Sequence, residues 1–139
     1  MSLLLTRLAS SKILRSALTG VVGFIAYGGW AYYVNLGHGD DVALRAGLVQ
    51  GSYSLALTMG SSYLIEQLLT LFAAAHARTA LLLASATSAA LAFAVAYGIH
   101  WLIGTPMILT TILPGFVIGS VYAFIYGLSV QKLQMLSSQ

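Results

Sequence analysis

Residues 80–103, ALLLASATSAALAFAVAYGIHWLI, contain no Asp, Glu, Lys or Arg. An α-helix needs ~20 predominantly apolar residues to cross the hydrocarbon core of a bilayer. Three further apolar stretches occupy residues 17–35, 45–73 and 107–130. The sequence therefore predicts an all-α integral membrane protein with four transmembrane helices. We interpret 1–139 as a single transmembrane domain that begins with a basic segment at 1–16.

Composition supports this class and excludes several functions. Hydrophobic residues are 59% of the chain and charged residues 6%, whereas soluble domains carry ~25% charged residues. The predicted connections at 35–44, 74–79 and 104–106 are too short to hold a folded soluble domain. Cysteine is absent, which excludes disulfides and thiolate metal sites. Since the sequence also shows no nucleophile–base pair, phosphate loop or metal motif, we expect no enzyme, no cofactor and no metal.

The placement of the basic residues predicts the orientation. With four spans, all basic residues except Arg45 fall on one side of the membrane. Because positive residues stay cytoplasmic, both termini are expected inside, in an inner (plasma) membrane of the bacterial type. These residues could also bind a phosphate or a lipid headgroup at the inner interface, although topology alone could explain them: Arg7, Lys12, Arg15, Arg78 and Lys132. We expect no nucleic-acid partner despite the pI of 9.4.

Polar side chains recur every four residues along the second span. Ser and Thr can form hydrogen bonds within their own helix, whereas Gln and Glu need partners elsewhere. Each step of four advances ~40° around an α-helix, so the stripe winds slowly. We predict that it forms a substrate path: Gln50, Ser54, Thr58, Ser62 and Glu66.

Glu66 is the one charged residue deep inside an apolar stretch. Ionisable groups in a membrane are costly and are generally paired or functional. Three interpretations remain open for this carboxyl group. It could pair with Arg15, Lys12 or Lys132, line a polar cavity open to the cytoplasm, or act as a protonatable coupling group.

Small residues recur at the same interval in two spans, and such strips favour close helix packing. They are Gly115, Gly119, Ala123 and Gly127 in the fourth span and Gly47 and Gly51 in the second. The segment GLVQGS at 47–52 also aligns with GFVIGS at 115–120. This match is compatible with two parallel helix-hairpin repeats, an arrangement known in transporters.

The chain resembles the GtrA-like family, whose members are small four-helix membrane proteins. The resemblance is carried by ILRSALTGVVGFIAYGGW at 13–30, the short polar first outer loop, and the TPM turn at 105–107 before GFVIGSVYAFIY at 115–126. Family members often end the second and fourth helices with an Asn-Arg-aromatic cluster. This chain instead has IEQL at 65–68 and SVQK at 129–132, so no family functional residue is carried over.

The resemblance implies a small inner-membrane translocase, or an accessory subunit, for a lipid-linked (polyprenyl-phosphate) sugar used in cell-surface polysaccharide synthesis. A single bundle of 14.6 kDa leaves little room for a substrate path. We therefore expect a homo-oligomer, or a larger membrane-protein partner, beside the lipid bilayer itself. Two alternatives remain. The chain could be a non-catalytic structural subunit of a larger membrane complex, or a small proton-coupled exporter of cationic compounds that uses Glu66.

Overall fold

The computed structural model describes residues 12–137, with side-chain burial for 17–136. Within that range the chain is helical and contains no strand. Helix α1 covers Lys12–Asn35 and is followed by a 3-10 turn at Leu36–His38; α2 covers Asp40–Leu71, α3 Ala77–Leu102 and α4 Ile108–Ser137. The predicted all-α class is confirmed for the described residues.

Among the described residues, three stretches are long and apolar enough to cross a membrane: Ala17–His38, Ala77–Leu102 and Ile108–Leu136. These confirm the prediction of membrane-type helices. Helix α2 is not among them, because its Ser, Thr, Gln and Gly residues lower its mean hydropathy.

Several helix boundaries differ from those predicted, and α1 begins at Lys12 rather than at residue 17. Helix α2 begins at Asp40 rather than Arg45, so the predicted loop at 35–44 is mostly helical. Gly39 has φ of +109°, which lets the chain reverse direction just before this helix. Asp40 and Asp41 then occupy the first turn, where negative charge interacts favourably with the helix dipole. Helix α4 continues to Ser137, beyond the predicted residue 130.

The four helices alternate in direction and form one bundle. Helix α1 packs most extensively on α2, and α3 on α4; α2 also contacts α3 and α4, and α1 contacts α4. Described residues of α1 and α3 make no contact, so these two helices occupy opposite corners. We call the end where α1 and α3 finish the Asn35 end, and the opposite end the Ala77 end.

Helices α1 and α2 touch through their backbones. A Cβ added at Gly28 would lie 2.8 Å from the Gly47 carbonyl oxygen, and one at Gly47 would lie 2.9 Å from the Gly28 carbonyl oxygen. A Cβ at Gly51 would lie 2.9 Å from the Phe24 carbonyl oxygen. The absence of side chains at these positions is therefore what lets α1 approach α2 so closely.

The small residues of α4 fall into two groups. Toward the Ala77 end, a Cβ at Gly127 would lie 2.8 Å from Leu81 Cδ1, and Ala123 is buried in a cluster with Ile65, Leu68, Leu69 and Ala84. Toward the Asn35 end the strip is looser. A Cβ at Gly119 would meet no atom within 4 Å, so this residue departs from the continuous packing strip expected.

The α1–α2 crossing generates a test with adjacent residues. We expect Gly28→Ala to lower the free energy of unfolding by about 1–3 kcal/mol, because its methyl group overlaps backbone atoms that cannot move independently. Gly29→Ala is the control, since its methyl group meets nothing within 4 Å and alanine favours helix. Thermal unfolding in detergent measures both. Equal stability of the two variants would contradict the close crossing.

Candidate functional site

A cavity of about 560 Å³ lies between the helices and is lined mainly by α1, α2 and α4. Helix α3 contributes a short segment that includes Ala92, Phe93 and Ala96. Small-molecule sites typically enclose ~300–1,000 Å³. The cavity is therefore large enough to accept a ligand or part of one.

The cavity opens sideways between α1 and α4. Its lining residues on these two helices include side chains that are well exposed, Val22 at 65% and Ile118 at 57%. The α1–α4 contact is also the least extensive of the contacts between the four helices. In a bilayer, an opening on this side faces lipid rather than water.

The floor of the cavity is the polar face of α2. Gln50, Ser54, Thr58 and Ser62 all line it, so the structure brings four of the five predicted path residues to one surface. The fifth, Glu66, is exposed and is not among the lining residues. The other lining residues are largely apolar, including Leu57, Ile112 and Phe116. The cavity thus combines a polar floor with apolar walls.

Gln50, the most buried of these polar side chains, contacts His100. His100 Nε2 lies 2.9 Å from Gln50 Oε1, and Nδ1 of the same ring lies 2.8 Å from Thr105 Oγ1. His100 is only 1% exposed and Gln50 only 2%. The imidazole therefore joins α2 to the loop between α3 and α4. His100 lies in the last turn of α3, and its ring points into the bundle.

A second buried polar group, the side-chain amide of Asn35, lies at the Asn35 end of the bundle. Asn35 Nδ2 donates to Thr111 Oγ1 at 2.9 Å and to the Ala31 carbonyl at 2.8 Å. Asn35 Oδ1 accepts the Met107 backbone N–H at 3.2 Å. Asn35 was predicted only as the start of a loop. Its partners Thr111 and Met107 lie more than seventy positions away in sequence, so no local pattern could have identified them.

Glu66 belongs to a row of contacts between α2 and α4. Its Oε1 accepts the Tyr126 hydroxyl at 2.5 Å, and one turn away Ser62 Oγ lies 2.7 Å from the Tyr122 hydroxyl. The two tyrosine rings are stacked with centroids 5.6 Å apart. Among the described side chains, the carboxylate therefore contacts Tyr126 rather than Lys132. The interpretation of Glu66 as a cavity-lining residue is not supported.

The predicted headgroup residues are only partly described. Arg78 lies in the first turn of α3 and Lys132 near the end of α4, both exposed and both toward the Ala77 end. Arg7 lies outside the described residues, as do the side chains of Lys12 and Arg15. The expected basic cluster is thus represented here by two residues at the same end of the bundle.

Comparison with protein-family models, with curated proteins and with solved structures finds no match to this chain. The resemblance to the GtrA-like family stays a hypothesis that rests on the segments quoted above. The function is accordingly argued from the cavity and its contacts.

The Asn35 contacts generate a test with two neighbouring threonines. We expect Thr111→Val to lower the free energy of unfolding by about 0.6–1 kcal/mol, because it removes a buried acceptor of the Asn35 amide. Thr110→Val is the control, since Thr110 is exposed and contributes its backbone carbonyl, at 2.8 Å from Trp30 Nε1, to the bundle. Unfolding with increasing denaturing detergent measures the difference. Equal loss in both variants would contradict the assigned role of Thr111.

Proposed function

We propose that this chain is a small membrane protein that binds a lipid-linked sugar in its lateral cavity. It acts as a translocase for that lipid, or as an accessory subunit of an enzyme that uses it. The observation that carries this proposal is the opening between α1 and α4 combined with the polar floor on α2. A ligand that enters from the bilayer and also needs polar contacts is an amphiphile.

The two surfaces of the cavity suit the two parts of such a molecule. The apolar walls, with Leu57 and Phe116 among them, suit an isoprenoid chain that passes out through the mouth into lipid. The hydroxyl and carboxamide groups of the floor can both donate and accept hydrogen bonds. They suit sugar hydroxyl groups, which would otherwise lose their hydrogen bonds on leaving water.

The phosphate of a lipid-linked sugar needs a different place. No Lys or Arg is among the described residues that line the cavity, and a phosphate beside those residues would be buried without a counter-charge. Arg78 and Lys132 are exposed toward the Ala77 end. In this proposal they bind the phosphate at the membrane interface, together with the basic residues of the N-terminal segment.

The proposal includes four spans, with α2 crossing the membrane inside the bundle. Helix α2 has 32 residues, about 48 Å at 1.5 Å per residue, which exceeds the ~30 Å hydrocarbon core. Its Gln50 and Ser54 side chains are covered by neighbouring helices. The excess of basic residues at the Ala77 end and in the N-terminal segment then favours cytoplasmic termini in a bacterial-type inner membrane.

A test of this function adds bulk to the cavity. We expect Gly119→Leu to reduce binding and transbilayer movement of a fluorescent polyprenyl-phosphate sugar in proteoliposomes toward protein-free levels. The new side chain would extend into the space beside α2, because Gly119 lines the cavity and has no atom within 4 Å of its Cβ position. Gly98→Leu is the matched control, because Gly98 also has open space but does not line the cavity.

The outcomes separate the alternatives. Binding without movement by the wild-type protein alone favours the accessory role, and binding with movement favours the translocase. Wild-type protein that neither binds nor moves the lipid, yet purifies with a larger membrane protein, favours a structural subunit. Equal effects of the two Leu variants would contradict the cavity as the binding site.

A separate substitution tests the cation-exporter alternative. Glu66→Gln removes the charge but keeps a carbonyl oxygen able to accept the Tyr126 hydroxyl. Since Glu66 lies outside the cavity, we expect this variant to bind and move the lipid-linked sugar within about twofold of wild type, the scatter of a small surface effect. A proton-coupled exporter would instead lose its pH-driven uptake of an organic cation. Such a loss, measured in the same vesicles, would favour the alternative.

A further inference from the structure

The two ends of the Gln50 carboxamide lie in different surroundings. Its Oε1 lies 2.9 Å from His100 Nε2. A carbonyl oxygen can only accept a hydrogen bond, so Nε2 is the protonated nitrogen of this imidazole. In the neutral ring Nδ1 is then an acceptor, and it receives the Thr105 hydroxyl at 2.8 Å. The amide oxygen of Gln50 thus faces the Nε2–H of His100.

The amino group of Gln50 consequently points away from His100. Its nitrogen lies 3.5 Å from the position that a Cβ on Gly115 would occupy, and both residues line the cavity. It makes no hydrogen bond within the described residues, although the side chain is only 2% exposed. The cavity is therefore where the two N–H donors can find an acceptor.

Ser54 extends this donor surface by one helical turn. The residue is only 5% exposed and lines the same cavity. Its hydroxyl forms no hydrogen bond with the described part of the chain. A buried donor without a partner costs about 1–3 kcal/mol, so such groups generally receive one from a ligand or from water.

We propose that Gln50 determines the specificity of the cavity by donating to an oxygen of an uncharged, oxygen-rich head group, and that His100 is the residue that positions it. This rests on the proposed function only in taking an amphiphile as the ligand. Hydroxyl, ether and ester oxygens are suitable acceptors. An anionic group is not, because the described residues of the cavity lining include no Lys or Arg. A cationic head group has no acceptor to offer.

His100 and Gly115 have separate roles in this arrangement. His100 holds the amide by its oxygen, which leaves the N–H groups of Gln50 free to point toward the ligand. Gly115 leaves the path to the amino group open, since any side chain there would stand in van der Waals contact with Gln50 Nε2. The donor site therefore depends on three residues from α2, α3 and α4.

Binding of paired amphiphiles tests the proposal. Protein in lipid nanodiscs is equilibrated with radiolabelled octyl glucoside or with octyltrimethylammonium, which has the same chain but no acceptor oxygen, and empty nanodiscs correct for partitioning. We expect saturable binding of octyl glucoside that is tighter than that of the cation. Free glucose should not compete at the same concentration, because it lacks the chain that occupies the apolar walls.

Two alanine variants isolate the donor. We expect Gly115→Ala to weaken octyl glucoside binding about fivefold, the factor that corresponds to one lost hydrogen bond. Gly119→Ala adds the same methyl group to the same cavity, four residues away and with no atom within 4 Å, and should change the affinity less than twofold. Octyltrimethylammonium binding should be equally unaffected by both substitutions.

A third variant tests positioning. His100→Leu should reduce the preference for the glucoside over the cation, whereas a purely structural defect would weaken both ligands equally. The proposal is overturned if wild-type protein shows no such preference, or if Gly115→Ala and Gly119→Ala behave alike. If the preference and the Gly115 effect are found but proteoliposomes neither bind nor move a polyprenyl-phosphate sugar, the proposed function fails while the role of Gln50 stands.

Discussion

Helix α2 carries more polar side chains than a helix can expose to lipid alone, and the rest of the bundle follows from that constraint. In hydrocarbon an unpaired polar group costs several kcal/mol, because no water replaces the missing hydrogen bond. Helix α2 accordingly contacts all three others. Its Gln50 is bonded to His100 on α3, and its Ser62 and Glu66 to tyrosines on α4. The same polar groups that need cover also supply the floor of the cavity.

The close contact of α1 and α2 at their glycines determines where space remains between the helices. Backbone contact at Gly28 and Gly47 holds α1 against α2, while Gly127 and Ala123 hold α4 against α2 and α3 at the opposite end. Helices α1 and α4 are each fixed mainly by other partners, and they meet each other over a smaller surface. A gap between them is the geometric result. Since Gly115 and Gly119 add no side chains to fill it, the gap extends to the face of α2.

The sequence predicted what depends on local pattern and missed what depends on distant contacts. Charge-free apolar stretches indicated helices in a membrane, and glycines at intervals of four indicated close packing. The His100–Gln50 and Asn35–Thr111 pairs join residues 50 and 76 positions apart. A lone polar residue near a helix end looks the same whether it faces water or a partner. The signal was present only as polar residues near the ends of the four apolar stretches, and nothing in it specified the pairing.

The winding of the polar stripe explains why its two ends have different surroundings. From Gln50 to Glu66 are four steps of four residues, and each turns the side chain by ~40°, roughly 160° in all. Gln50 therefore points into the bundle at 2% exposure, whereas Glu66 has rotated to an exposed surface. Tyr122 and Tyr126 on α4 contact Ser62 and Glu66, the last two residues of the stripe. The polar stripe therefore has a covered part, which lines the cavity, and an exposed part at the α2–α4 contact that lies toward the Ala77 end.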